Sequence, residues 1–242
     1  MEWRGEGTVI GRRPHGESAL ILDLFSVDAG RVSGLLPGGA SARKAPITQL
    51  GCRLSVQWRA RLNDQLGTLS VEPAGARPGL LASAAALDGV SAVSALLVTA
   101  LAERDPHPRL YALTEDLLDA MDSGGPDWAT DYVRWELALL EEMGFGLDLG
   151  SCAVNGSRRA LAYVSPRTGR AVSREGAGEW APRLLPLPPM LGGEGEGGLR
   201  AALALTGHFL EQRLAEHTAR PLPAARGRLV ARLLRHPGAE PA

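Results

Sequence analysis

The stretch SALILDLFSVDAGRVSGLL, Ser18 to Leu36, decides the fold. Leu20, Leu22 and Leu24 alternate with other residues, and a period of two places them on one face of a strand. Asp28-Ala29-Gly30 then reads as a turn, and RVSGLL (Arg31–Leu36) as a returning strand. Working outward, GTVIGRR (Gly7–Arg13) precedes a Pro-His-Gly turn, and RLSVQWRARL (Arg53–Leu62) alternates Leu54, Val56 and Trp58. The turn NDQ leads into LGTLSVEP (Leu66–Pro73). Five short strands separated by turn residues predict a small closed barrel, of OB type rather than SH3-like. The long gap between the third and fourth strands, Pro37 to Gly51, is expected to carry a helix or a loop.

After residue 78 the composition changes. Leu80–Glu103 reads as helix interrupted near Asp88-Gly89, Pro108–Met121 as a second helix, and a third begins after Pro126. In the third, Trp128, Tyr132, Trp135 and Leu139 recur at helical spacing, and Gly144 is the expected stop. Leu199–Thr218 and Pro223–His236 supply two more helices. The second carries Arg226, Arg228, Arg232 and Arg235 as a basic exposed face. The fold class is therefore α+β. An OB-type barrel over residues 1–78 is followed by a helical domain over 79–242, with an irregular, knuckle-like insertion at about 146–189. The run GGEGEGG (Gly192–Gly198) is expected to be a flexible connection.

The chain of 242 residues is long enough for two or three compact units, and its 45% hydrophobic content argues against disorder. The opening MEWRGEG lacks the basic and apolar regions of a secretory leader, and the Ala-rich stretch Leu80–Ala102 suits buried helices better than a membrane span. A cytoplasmic protein with no membrane partner is expected, with Cys52 and Cys152 as reduced thiols.

The net charge of −1 conceals an uneven distribution. Residues 1–80 carry 10 basic and 7 acidic side chains, residues 81–150 carry 3 and 13, and residues 151–242 carry 13 and 7. Basic segments suit polyanions and an acidic one repels them, although acidic helices also serve solubility alone.

The loop LLPGGASARK (Leu35–Lys44) holds the chain's only lysine. It lacks the order of a Walker A motif and opens no parallel β-α unit. No G-x-S-x-G elbow and no H-E-x-x-H pair occurs, so no enzyme and no cofactor is indicated. Gly38-Gly39 free the backbone to turn and Arg43-Lys44 supply charge, which suits a mobile loop on nucleic-acid phosphates. A solvated loop is the plainer alternative. Zinc requires four grouped ligands, and Cys152 stands alone. Asn155 occupies the place of a C-x-x-C partner, with Ser165 or Ser173 replacing others, so no metal is expected.

The segment GTVIGRRPHGESALILDLFSVDAGRVSGLLPGGASARK (Gly7–Lys44) resembles the opening of the bacterial recombination mediator RecO family. YVRWELALLEEMGFGLDLGSCAVNG (Tyr132–Gly156) resembles that family's helix, Gly-aromatic-Gly and first cysteine. LAYVSPRTGRAV (Leu161–Val172) resembles the second half of its zinc-binding or degenerate module. The resemblance implies single- and double-stranded DNA binding, annealing of complementary strands, and work with RecR to load RecA on DNA covered by single-strand-binding protein. On the barrel, Arg12, Arg13, Arg43, Lys44, Arg59 and Arg61 are placed to track a phosphate backbone. Phe25 and Trp58 offer stacking surfaces, with core packing favoured for both. The resemblance also implies capture of the acidic, apolar-ended tail of the single-strand-binding protein. Arg134 supplies a cation for it or else pairs with Asp131, and Arg228 and Arg232 supply further ones. A protein-interaction adaptor with weak DNA contact is the other functional class.

Overall fold

The computed structural model of the protein describes residues 1–61, 66–125, 127–218 and 220–235, without the side chains of residues 215 and 217. The architecture is α+β, strands first. The expected turn NDQ (63–65) and residues 236–242, including His236, lie outside the described residues.

Strands β1 (Glu2–His15), β2 (Ala19–Ser26), β3 (Gly30–Leu36), β4 (Arg53–Arg59) and β5 (Gly67–Gly75) form a closed barrel in the order β1-β2-β3-β5-β4. Closure of β4 on β1 is the Greek-key arrangement of an OB-type barrel. The alternating leucines meet inside it: Leu20, Leu22, Leu24, Leu36, Leu54, Val56, Trp58 and Leu69 form one core.

β1 is longer than the periodicity predicts because it serves two partners. Glu2–Thr8 pair with β4 and Thr8–His15 with β2, with an irregularity between Val9 and Gly11. Pro14 therefore lies in the strand opposite Leu20, and the turn moves to residues 16–18, where Gly16 has φ +60°.

The seam of the barrel is short. β3 and β5 pair only at Gly34–Gly67 and Leu35–Thr68. A Cβ on Gly67 would lie 2.2 Å from the Trp58 ring, so glycine is what admits the indole there. Beyond this pair the gap is filled by the segment after the second helix. Glu103 bridges to Arg31, the Arg104 N–H donates to the Arg31 carbonyl at 2.8 Å, and the Arg104 guanidinium lies 4.3 Å from the centre of the Trp58 ring.

The helices α1 (Gly79–Ala82), α2 (Ala84–Ala100) and α3 (Pro108–Asp122) follow. The expected break at Asp88-Gly89 falls at Ser83 instead. Ser83 is extended and its hydroxyl accepts from the N–H groups of Ala85 and Ala86, capping α2, while Gly89 is buried inside that helix. α2 also stops at Ala100 rather than Glu103, because Leu101–Arg104 turn away to the barrel seam.

Packing divides the described residues into two compact units: Met1–Gly125 with Pro223–Leu229, and 127–222 with 230–235. This grouping places α1–α3 with the barrel, beyond the change of composition at 78/79. The link is an ion network centred on a buried arginine. The Arg77 side chain, 4% exposed, donates from Nε to Asp119 at 2.6 Å and from Nη2 to Glu115 at 3.0 Å. Its Nη1 donates to the Gly51 carbonyl at 2.9 Å. Burial works against the Arg77 charge, but the hydrogen bonds to Asp119 and Glu115 outweigh it and raise its pKa.

The second unit holds α4 (Trp128–Glu142), a small sheet and α6 (Gly198–Thr218), with α4 and α6 packed together. Tyr132, Trp135 and Leu139 are buried on the predicted stripe, and Gly144 stops the helix at φ +82°. The sheet has the order β7-β6-β8, from β6 (Leu161–Val164), β7 (Ala171–Ser173) and β8 (Leu185–Pro186). α5 (Arg174–Ala177) follows β7. The glycine run after Leu191 is docked rather than a free linker. A Cβ on Gly193 would lie 2.1 Å from the Leu187 carbonyl oxygen, and one on Gly195 2.4 Å from that of Ala162, so these glycines serve close backbone approach. α7 (Ala224–Leu233) exposes Arg228 as expected, but Arg226 is buried.

Candidate nucleic-acid interface

Register locates the predicted cations. Arg13 is opposite Ile21, Ile21 opposite Leu35, Leu35 beside Thr68, and Thr68 opposite Arg59. Cross-strand partners point to one side of a sheet, and the residues that flank this row, Leu20, Leu22, Leu36, Leu69 and Trp58, point into the core. The row therefore runs across the outside of the barrel. It has Arg13 at one end, half-buried Ile21 and Leu35 in the middle, exposed Thr68 beyond them, and Arg59 at the other end. Four strand spacings separate the two arginines, about 19 Å along the curved surface.

Further cations join the ends. The loop after Leu36 is tied to the β1–β2 turn by the Ala40 N–H, which donates to the Ser18 carbonyl at 3.0 Å. Arg43, three residues on, is exposed. The loop is a succession of hydrogen-bonded turns, and the Lys44 ammonium donates back to the Pro37 carbonyl at 2.9 Å. At the far end Arg59, Arg61, Leu66 and Thr68 line one shallow depression with Glu2. Glu2 lies 3.5 Å from Arg59. Hydrogen bonds from Gln57 and Arg4, with the charges of Arg59 and Arg4, hold its carboxyl at about 2. Arg12 is not brought into the row. It is exposed but stands on the opposite face of β1 from Arg13.

The same strands are covered two rows lower. Thr8 donates to Glu115 at 2.6 Å, Phe25 meets Tyr111 edge-on at 5.4 Å, and the Arg31 Nε donates to the Leu101 carbonyl at 3.0 Å. Arg53 lies 3.8 Å from Glu115. Between the two levels the Ser33 hydroxyl is 2.6 Å from both Asp23 and Glu103, with Arg31 3.7 Å from each carboxylate. Sequence reasoning missed this coverage. Its signal was the charge map, because basic Arg31, Arg53 and Arg77 are matched by acidic Glu103, Glu115 and Asp119 in the next segment. Phe25 and Trp58 are fully and almost fully buried, so both are core residues as favoured.

The residues proposed for partner binding lie on α4 and α7. Arg134 is exposed on α4 and donates to Asp131 at 3.2 Å, the pairing that its spacing allows. Arg228 is exposed and Arg232 half-buried on α7.

The knuckle-like segment does not fit a metal. The side chains that converge there are one thiol, Cys152, with Asn155 and Ser173, and Gly176 stands at the fourth position. Such a set cannot complete a tetrahedral zinc site. Among the described residues no group of three or more His, Cys, Asp or Glu is placed to hold a metal ion. Ser165 takes no part. It closes the β6–β7 turn at the far end of the hairpin, accepting from Gly169. Burial pushes the Cys152 thiol up, but hydrogen bonds from the Ser173 hydroxyl and from the N–H groups of Ser173, Asn155 and Val154 outweigh it and bring it down to about 7. Cys52 and Cys152 are both free and buried. Among the described residues no helix is long and apolar enough to cross a membrane.

Comparison with known proteins covers both halves of the chain. Residues 1–77 match the family model for the recombination protein O N terminal, and residues 82–221 that for its C terminal. The DNA repair protein RecO of Paracoccus denitrificans (strain Pd 1222) is 64% identical over 234 residues, 96% of each chain. That of Cereibacter sphaeroides (strain ATCC 17025 / ATH 2.4.3) is 50% identical over 238 residues, 97% of this chain and 99% of the relative. That of Ruegeria sp. (strain TM1040) is 49% identical over 240 residues, with the same coverage. With both terminal models matched in order and such identity along nearly the whole length, the chain belongs to the recombination protein O family, whose role lies in DNA repair and recombination.

Proposed function

We propose that the protein is a non-enzymatic recombination mediator that binds single- and double-stranded DNA, anneals complementary strands, and helps load the RecA recombinase on DNA covered by single-strand-binding protein. The single observation that carries this reading is the outer row from Arg13 to Arg59, open between cation-bearing ends. Phosphates of one strand lie along it, held by Arg13, Arg43 and Lys44 at one end and Arg59 and Arg61 at the other, with Arg12 approached from the hairpin's other face. Neutralising phosphates lowers the repulsion between two complementary strands, which is the physical requirement of annealing. Residues 1–78 are the DNA-binding part in this reading, and residues 79–242 the partner-binding part.

The interface reads phosphates rather than bases. Its row holds Ile21, Leu35 and Thr68 but no aromatic ring; Trp58 is turned into the barrel, and Phe25, on the outer face, is buried under Tyr111. Base stacking, which other single-strand binders use, has no platform here among the described residues.

Arg134 is proposed to hold the acidic tail of the single-strand-binding protein, with Arg228 and Arg232 of the C-terminal helix as the next candidates, and RecR is the proposed co-mediator. Arg134→Ala is then expected to weaken tail-peptide binding several-fold in calorimetric titration and to spare bare DNA.

The deciding experiment is titration with a single-stranded oligonucleotide at rising salt. Affinity should fall steeply, because bound phosphates release counterions. Absence of binding at low salt would favour the adaptor reading.

A further inference from the structure

Two turns face each other in the second unit and share one geometry. In the first, Cys152-Ala153-Val154-Asn155, the Cys152 sulfur accepts from the N–H groups of Val154 and Asn155. In the second, Ser173-Arg174-Glu175-Gly176, the Ser173 hydroxyl accepts from the N–H of Gly176 at 3.1 Å. In both, the heteroatom of the first residue receives the N–H of the fourth. That spacing, two residues between paired positions, is the spacing of C-x-x-C ligands in structural zinc sites.

The four positions also converge. Ser173 Oγ lies 3.4 Å from Cys152 Sγ, and Asn155 Nδ2 lies 3.4 Å from Ser173 Oγ. A Cβ built on Gly176 would stand 2.9 Å from Cys152 Sγ and 3.1 Å from Ser173 Oγ. Ligand sulfurs around a tetrahedral zinc with bonds of about 2.3 Å are about 3.8 Å apart. The observed separations are close to that edge and slightly shorter, as expected where donor–acceptor contacts replace an ion in the middle.

We infer that this segment is a four-ligand metal scaffold closed without an ion, in which the hydrogen-bonded chain Asn155–Ser173–Cys152 takes the structural place of the metal. Ser173 is the central member. Its hydroxyl proton goes to the Cys152 sulfur, its lone pairs accept from Asn155 and Gly176, and its N–H donates to the same sulfur at 3.2 Å. The hydroxyl also caps α5, so the chain ties the loop at 152–157 to the start of that helix, as a metal would. Gly176 lacks a side chain because Cys152 Sγ and Ser173 Oγ fill the space that a fourth ligand would need.

The test is to restore the ligands. The triple variant Asn155→Cys, Ser173→Cys, Gly176→Cys of the full chain should bind one zinc or cobalt ion per molecule. Cobalt should give thiolate charge-transfer and tetrahedral d–d bands, and zinc should raise the melting temperature. Wild-type protein should carry no stoichiometric zinc and should melt alike with and without chelator. If the triple variant folds only with zinc present, that also supports the inference. Should it fail to fold under either condition, the double variant Asn155→Cys, Ser173→Cys is used, and three thiols should still give the cobalt thiolate spectrum. A folded triple or double variant without that spectrum would show that the positions do not converge as a metal site. One zinc in the wild-type protein would show that the hydrogen bonds replace nothing.

Discussion

Arg13 and Arg31 leave the same barrel on the same outer side, yet the side chain of the first is 63% exposed and that of the second 17%. The rows are separated by only a few residues along the strands. At the lower row α2, α3 and their connection lie on the sheet, and each arginine there meets a carboxylate of the next segment. At the upper row the cations face solvent, with Asp23 3.6 Å from Arg13 and Glu2 3.5 Å from Arg59. Counting basic residues along the barrel therefore overstates what it offers to a polyanion. One set of arginines fastens helices, and the other remains for a ligand.

The covered half yields the largest expected effect. Arg77→Ala removes the central cation and leaves Glu115 and Asp119 without it, so stability should fall by about 3–5 kcal/mol in urea or thermal denaturation. Wild-type melting would mean that the helices are held to the barrel by apolar contact alone.

Cys152 in the second unit provides a control, a buried polar group outside the barrel. Its folded value of about 7 lies below the ordinary 9.0, so the folded chain sheds the proton first. Its contribution is complete above about pH 9 and lost as pH falls through 7, so stability should rise with pH across that window by something on the order of 2 kcal/mol. Cys152→Ser should flatten the rise and leave DNA affinity unchanged. A variant with the same pH slope would assign it to other groups.

The open half sets the next effect. Arg13→Ala with Arg59→Ala should reduce the salt slope of DNA binding by about two and weaken binding roughly tenfold at low salt. Arg31→Ala with Arg53→Ala should lower stability and leave the slope alone. If the second pair changed the slope instead, the assignment of the two rows would be reversed.

The smallest effect is an expected absence of change. Replacing a single-stranded oligonucleotide by its abasic counterpart should alter affinity by less than about threefold, because stacking is worth about 1–3 kcal/mol per base where it occurs. A larger loss would reveal a stacking ring beyond the row.

Much of this was legible in the residue order. The five strands, the stop at Gly144 and the inward-facing Trp58 follow from alternation, turn residues and helical spacing, which act over a few neighbours, whereas Phe25 is buried on the outer face only because Tyr111 covers it. The departures share a different cause. Ser83 rather than Gly89 breaks the first helical stretch because a side-chain cap competes with a buried glycine, and the glycines near Leu187 serve close approach rather than freedom. Gly176 as the fourth knuckle position was invisible because a glycine carries no ligand signature, and only the turn geometry marks it.

By itself, the sequence determined the barrel's strands, their inward faces and the stock of cations, since local periodicity dictates which side of a strand is apolar. Only the tertiary structure decided which cations remain available. Arg12 and Arg13 are neighbours in the chain but stand on opposite faces, while Arg13 and Arg59 are far apart in the chain but share a row. Pairing register and the landing of α3 on the sheet set both outcomes, and each depends on contacts between residues distant in sequence, where no local pattern reaches.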